Sequence, residues 1–147
     1  MKKTETFASL FQTFAYRHRS RTLFDDFLTV SIAAFARNYE TGLSYDEDLY
    51  LKTVSKYPDA ADMFPQLLAL LINEMEERTG SSLGNDVLGD FFEQNIAERG
   101  KSQFFTPWPI CQFMAKNVVS DKENQEPIRV LDPACGSGRT LLAAANE

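Results

Sequence analysis

The sequence predicts a mainly α protein: a helical bundle over residues 1–100, then, over 101–147, the incomplete start of a domain built from a strand, a tight turn and a helix. Three observations carry that prediction. Apolar residues in the first part recur at i, i+3, i+4 and i+7, the period of one helix face. Short breaks rich in Gly, Pro and Ser separate these stripes, as the loops of a bundle do. Beyond residue 100 the pattern changes. Residues 128–147 pass from an apolar run through an acid and a Gly-Ser-Gly turn into a new helical stripe, the first half of a βαβ unit.

The first helix is predicted over 5–18, where Phe7, Leu10, Phe11 and Phe14 share a face. Residues 22–39 repeat the pattern with Leu23, Phe24, Phe27, Leu28, Ile32 and Phe35, and Gly42 supplies a stop. Ser44 and Glu47 have the spacing of a capping box and open a helix through about Tyr57, closed by Pro58. Residues 59–79 carry Met63, Phe64, Leu67, Leu68, Leu71 and Met75; Pro65 lacks a backbone donor and is expected to kink or restart this helix. After a break at Gly80, Ser81 and Ser82, residues 85–98 bring Val87, Leu88, Phe91, Phe92 and Ile96 to one side, and Gly100 ends the element. These stripes read as core.

Thr106 before Pro107 is an N-cap followed by proline at the first helical position. It opens a helix through Val119 with Ile110, Phe113, Met114 and Val118 on one side. Residues 120–127 read as a charged loop, 128–132 as a short buried strand, 133–138 as a turn, and Arg139 onward as a helix.

Composition is that of a globular chain, 44% hydrophobic and 24% charged. No apolar run reaches the roughly 18 residues needed to cross a membrane, and the N-terminus has neither the apolar stretch nor the cleavage site of a secretory signal. Cys111 and Cys135 make no disulfide framework, so the chain reads as cytoplasmic with both thiols reduced. The net charge of −6 argues against a free-standing binder of phosphate backbones. Lys2, Lys3, Arg17, Arg19 and Arg21 make the N-terminal edge basic, which reads first as a solvated helix end and second as a nucleic-acid contact. His18, the only histidine, reads as a surface residue at a helix end. With one His and two distant Cys, no metal site is expected.

The terminal turn carries the chemistry. Gly136 and Gly138 lack Cβ, so the chain can turn sharply and a ligand can approach the main chain. The helix N-terminus behind them favours negative charge. Asp132 brings a carboxylate to the same crevice, which repels phosphate and suits an amine or a hydroxyl. A phosphate-cradling loop needs a lysine after its second glycine, and a dinucleotide fingerprint needs a third glycine where Leu141 stands. The order strand, Asp, three residues, Gly-x-Gly fits S-adenosylmethionine, which has no phosphate and presents an ammonium and a ribose. Cys135 reads as a small buried filler of the turn. The nucleophilic cysteine of cytosine-C5 methylation follows a proline directly, on a different loop.

Asp132-Pro133-Ala134-Cys135-Gly136-Ser137-Gly138 resembles the glycine motif of adenine-N6 DNA methyltransferases. Gln103-Phe104-Phe105-Thr106-Pro107 resembles the segment which that family places upstream, and Asp86 to Glu93 looks like the helix before both. The ordered set resembles the N-terminal portion of the modification (M) subunit of type I restriction–modification systems, ending just after the glycine motif. It covers residues 84–147; residues 1–80 match only in being helical. The resemblance implies a helical N-terminal domain followed by a Rossmann-like, S-adenosylmethionine-dependent methyltransferase domain acting on DNA beside specificity and restriction subunits. It implies that Gln103, Phe104, Phe105, Thr106 and Pro107 wall the cofactor's methionine end, with Thr106 as the hydrogen-bonding side chain. It implies that Gly136, Ser137 and Gly138 pack against the cofactor and that Asp132 orients its amino-acid portion. Arg139 departs from the small residue usual at its position, and would either crowd the site or face solvent.

The family's catalytic Asn/Asp-Pro-Pro-Tyr/Phe motif, which holds a flipped adenine, does not occur in the 147 residues. The acidic residue for the ribose, about 20 residues beyond the glycine turn, would lie past Glu147. One strand cannot make a sheet. The expectation is the N-terminal part of a methyltransferase, without a catalytic residue of its own and inactive alone. The competing reading is a non-enzymatic helical module. It would dock on a specificity subunit, on a second half of the enzyme or on itself, through apolar surface at Ile128, Val130, Leu131, Leu141 and Leu142. The Phe-Phe-Thr-Pro segment weighs against a third reading, methyl transfer to protein or RNA.

Overall fold

The computed structural model describes residues 5–38, 46–81, 84–97, 105–119 and 129–147. Among them stand seven helices: α1 (Phe7–Ala15), α2 (Ser20–Asn38), α3 (Glu47–Val54), α4 (Ala60–Arg78), α5 (Val87–Asn95), α6 (Trp108–Val119) and α7 (Arg139–Ala145). The mainly α expectation holds. The chain divides into two compact units, Met1–Asn73 and Glu74–Glu147. No helix among the described residues is long and apolar enough to cross a membrane.

In the first unit, α1 opens with a reciprocal cap. The Ser9 N–H donates to Thr6 Oγ1 at 3.1 Å, and the Thr6 N–H donates to Ser9 Oγ at 2.9 Å, which satisfies two donors a helix start leaves open. Phe7, Leu10 and Phe11 are buried, and Phe14 is half-buried. Leu23, Phe24 and Phe27 of α2 close over them. Ring centroids lie 5.5 Å apart for Phe7 and Phe27 and 6.3 Å for Phe11 and Phe24, tilted or edge-on as aromatic quadrupoles prefer. Each fully buried Phe contributes about 1.5–3 kcal/mol.

The expected stripe of α2 does not stay in the core. Ile32 is 58% and Phe35 45% exposed, while Val30 and Ala36 are buried. Ile32 stands nine residues after Leu23, about two and a half turns at 3.6 residues each, and so comes round to the opposite side. Asp46, not Ser44, caps α3 by accepting the Leu49 N–H at 2.9 Å, and that helix ends at Val54; Ser44 and Gly42 lie outside the described residues. Pro65 neither breaks nor restarts α4, which is continuous around it. One missing hydrogen bond is offset by the burial of Met63, Phe64, Leu67 and Leu71. Buried Asp26 accepts the Tyr57 hydroxyl at 2.7 Å and the Lys56 ammonium at 2.8 Å, tying α2 to the segment after α3. His18 is not a bare surface residue: it is half-buried, with its ring edge-on to Tyr57 at 4.8 Å.

In the second unit, Asp86 caps α5, and Val87, Phe91 and Ile96 are buried. The Pro107 carbonyl accepts the first-turn N–H groups of α6, from Ile110 at 3.0 Å and Cys111 at 3.2 Å, so the helix begins one residue after the predicted start. The buried face of α6 is Trp108, Cys111 and Ala115, packed on Ala143 of α7 with Leu142 and Ala144 against it. Small residues at 111, 115 and 143 let the two helices approach closely. The stripe read from the sequence lies elsewhere: Ile110, Phe113, Met114 and Val118 are 50%, 69%, 49% and 60% exposed. Leu141 and Leu142 are partly buried, so among the described residues of this unit the exposed apolar surface is on α6 and at residues 130–131.

The expected buried strand is corrected as well. Among the described residues no strand is formed; Val130 and Leu131 are 42% and 88% exposed, and Ile128 lies outside the described set. A strand is defined by its ladder, and among the described residues no second segment supplies one.

Candidate functional site

The site is built on the glycine turn before α7. The Gly138 N–H donates to the Cys135 carbonyl at 2.7 Å, closing the turn. Gly136 and Gly138 have φ of +55° and +82°, in the left-handed region. A Cβ at either would meet nothing within 4 Å, so glycine is required here for backbone conformation, not for space. Asp132 anchors the turn from its N-terminal side. One carboxylate oxygen accepts the Ala134 N–H at 2.9 Å, an Asx turn, and the other accepts the Thr140 hydroxyl. The Thr140 bond first, and the Ala134 bond second, hold the Asp132 carboxyl below its ordinary range. It is an anion wherever the protein is folded near neutrality.

Across from the turn stands the segment before α6. Phe105, Thr106, Met114, Asp132, Gly136, Ser137 and Thr140 are among the residues that line a cavity of about 270 Å³. Five of the residues singled out from the sequence thus meet in one wall: Phe105, Thr106, Asp132, Gly136 and Ser137. Pro107 and Gly138 adjoin the wall in sequence without lining it, and Gln103 and Phe104 lie outside the described residues. The Thr106 carbonyl is occupied, accepting from the Cys111 thiol at 3.6 Å and from Arg139 Nη1 at 3.3 Å. Burial pushes the Cys111 thiol above its usual value, so it stays protonated and can donate. Cys135 is exposed at the turn, not the buried filler expected, because the turn forms the open side of the cavity.

The residue that sequence reasoning missed is Arg139. It does not face solvent: its side chain is 6% exposed and engaged by α5, and Arg139 is also among the residues that line the cavity. Nε donates to Asp86 Oδ2, and Nη2 donates to Asp90 Oδ1 at 3.0 Å and Glu93 Oε2 at 3.3 Å. Its guanidinium carbon lies 5.8 Å from the Phe105 ring centre. Burial opposes its charge, but the Asp86 hydrogen bond and the three carboxylates outweigh that and raise its pKa further. The signal was present: Asp86, Asp90 and Glu93 fall at i, i+4 and i+7 and make an acidic helix face, with one arginine directly after the glycine motif.

This arrangement limits what the cavity can take. Three carboxylates engage Arg139, so among the described residues that line the cavity no free cation faces a phosphate, whereas Asp132 presents an anion to an ammonium or a hydroxyl. Among the described residues no group of three or more His, Cys, Asp or Glu is placed to hold a metal ion. Residues 83–147 match the family model described as N-6 DNA Methylase, and over that segment the chain is similar to that family. No curated protein and no solved structure matches the chain.

Proposed function

We propose that residues 1–100 are the helical N-terminal domain, and 101–147 the start of the methyltransferase domain, of an adenine-N6 DNA methyltransferase of a restriction–modification system. In this reading the cavity before α7 is part of an S-adenosylmethionine site. The observation that carries it is the convergence of Phe105, Thr106, Asp132, Gly136 and Ser137 on one cavity, in a segment similar to N-6 DNA methylases. The residues fit the cofactor's chemistry. Asp132 is an anion and suits the ammonium, Phe105 offers an apolar face, and Gly136 leaves its part of the wall without a side chain. At about 270 Å³ the cavity is smaller than the roughly 300–1,000 Å³ usual for a whole ligand of that size, so it suits one end of the molecule.

When bound, the cofactor supplies a methyl group on a sulfonium. The residues of this chain would hold and orient it: Asp132 would take the ammonium, Gly136 and Ser137 would lie alongside, and Phe105 and Thr106 would wall the pocket from water. No proton transfer or base contact is assigned to them, because the 147 residues contain no Asn/Asp-Pro-Pro-Tyr/Phe motif. We therefore expect these residues by themselves to bind cofactor without methylating DNA. The exposed apolar face of α6 supports assembly with further protein, such as specificity and restriction subunits or a second copy.

The test is calorimetric titration of the chain with S-adenosylmethionine, with Gly136→Trp as the control that fills the cavity. Saturable binding that the control loses is the expected result. No heat at millimolar ligand would overturn the reading.

A further inference from the structure

Three sequence-distant segments meet at one side chain. Arg139 touches α5 through Asp86, Asp90 and Glu93, the Phe105–Thr106 segment through the Thr106 carbonyl and the Phe105 ring, and the glycine turn through its own backbone. We propose that Arg139 is a positioning residue: a clamp that sets the glycine turn against the Phe105–Thr106 wall and so shapes the cavity. The clamp itself stands on the geometry alone; its effect on cofactor binding rests on the function proposed above.

Three further observations carry the inference. Arg139 directly follows Gly138, whose left-handed backbone has no side-chain cap to hold it, so the arginine is the nearest anchored group after the turn. Asp86 reaches Arg139 only because position 89 is glycine: a Cβ there would lie 2.1 Å from Asp86 Oδ2, the oxygen that accepts from Arg139. Asp90, which accepts from Arg139 with one oxygen, is itself fixed by Arg78 Nη1 at 2.8 Å on the other. Two of the three acids that hold the clamp, Asp86 and Asp90, are thus oriented by contacts of their own, as a rigid supporting shell requires. The spacing Asp86-x-x-Gly89-Asp90-x-x-Glu93 is explained as one device: three carboxylates on one helix face and a glycine that lets the first fold inward.

The experiment measures amide exchange residue by residue in the full chain, and in parallel its affinity for S-adenosylmethionine. Arg139→Met removes the fork. Gly89→Ala displaces the Asp86 carboxylate and leaves Arg139 intact, so it decides the matter if Arg139→Met does not fold. Arg139→Lys keeps the charge and loses the fork. We expect either disrupting variant to speed exchange at residues 134–140 by about tenfold or more while α6 amides change by less than about twofold. Affinity should fall by about tenfold or more, with Arg139→Lys in between. Exchange that is unchanged, or that rises equally in α6, overturns the clamp, because a merely stabilising arginine loosens the whole unit together. Local loosening without loss of affinity overturns its role in shaping the site. A wild-type chain that binds no cofactor overturns the proposed function, and exchange at 134–140 then decides the clamp independently.

Discussion

Asp86 and Arg139 are joined by an ion pair across a sequence separation of 53 residues, and the same carboxylate caps α5 by accepting the Gly89 N–H at 2.9 Å. One side chain therefore starts a helix and grips the glycine turn through Arg139. Its two duties separate by substitution. Asn caps about as well as Asp, so Asp86→Asn should lose the ion pair alone, about 1–2 kcal/mol for a charged hydrogen bond that is mostly shielded. Asp86→Ala should lose about 1 kcal/mol more with the cap. Urea unfolding midpoints measure both, and equal values for Asn and wild type would mean the pair contributes nothing.

Gly84 and Gly80 both adopt positive φ, +69° and +76°, but only Gly84 is also crowded. A Cβ at 84 would fall 2.1 Å from the Trp108 ring, whereas at 80 it meets nothing within 4 Å. Gly80→Ala should cost about 1–2 kcal/mol, the backbone term alone. Gly84→Ala should cost about 2–5 kcal/mol, because the buried Trp108 must also shift. Trp108 is the only tryptophan, so its fluorescence reports the Gly84 variant directly; an unshifted emission spectrum with wild-type stability would contradict the packing.

Burial first, and then the hydrogen bond to Asp26, raise the Tyr57 phenol well above its ordinary value of 10.0. A group whose folded pKa is raised stabilises fully below its unfolded pKa and loses that contribution as pH rises toward the folded value. Stability should therefore decline above about pH 10. In an ultraviolet titration of the five tyrosines, one should resist ionisation until the protein unfolds. Tyr57→Phe should abolish the resistant phenol and cost about 1 kcal/mol at neutral pH. Five equivalent tyrosines in wild type would refute the Tyr57–Asp26 contact.

Asp132 works in the opposite sense. Its folded pKa is depressed below 3.8, chiefly by the Thr140 hydroxyl. Its contribution is present above the unfolded value and lost as pH falls through the folded one, since the unfolded chain binds the proton first. Thr140→Val removes the main cause, so the Asp132 carboxyl should titrate at higher pH and the turn should loosen earlier on acidification. Carboxyl carbon shifts followed by NMR measure this; an unchanged Asp132 titration in the variant would rule out the Thr140 bond.

By itself the sequence determined what is local. Helices stood where apolar residues recur with the helical period, around Phe7 to Phe11, Met63 to Leu71 and Val87 to Ile96. Gly136 and Gly138 marked a sharp turn with Asp132 on its N-terminal side, and the structure gives both glycines a left-handed backbone there. What sequence could not decide was which side of each helix is covered, and by what. On α6 the bulky stripe at Ile110, Phe113 and Val118 is exposed, and the small residues Cys111 and Ala115 are buried, because close approach of α7 favours small side chains. The segment at 129–132 was apolar enough for a strand but found no ladder. Arg139 looked like an intrusion into a glycine motif until α5 brought three carboxylates to it. Periodicity and turn chemistry act over a few residues and are written along the chain. The partner of a buried charge depends on geometry across 53 residues, and only the tertiary structure supplies it.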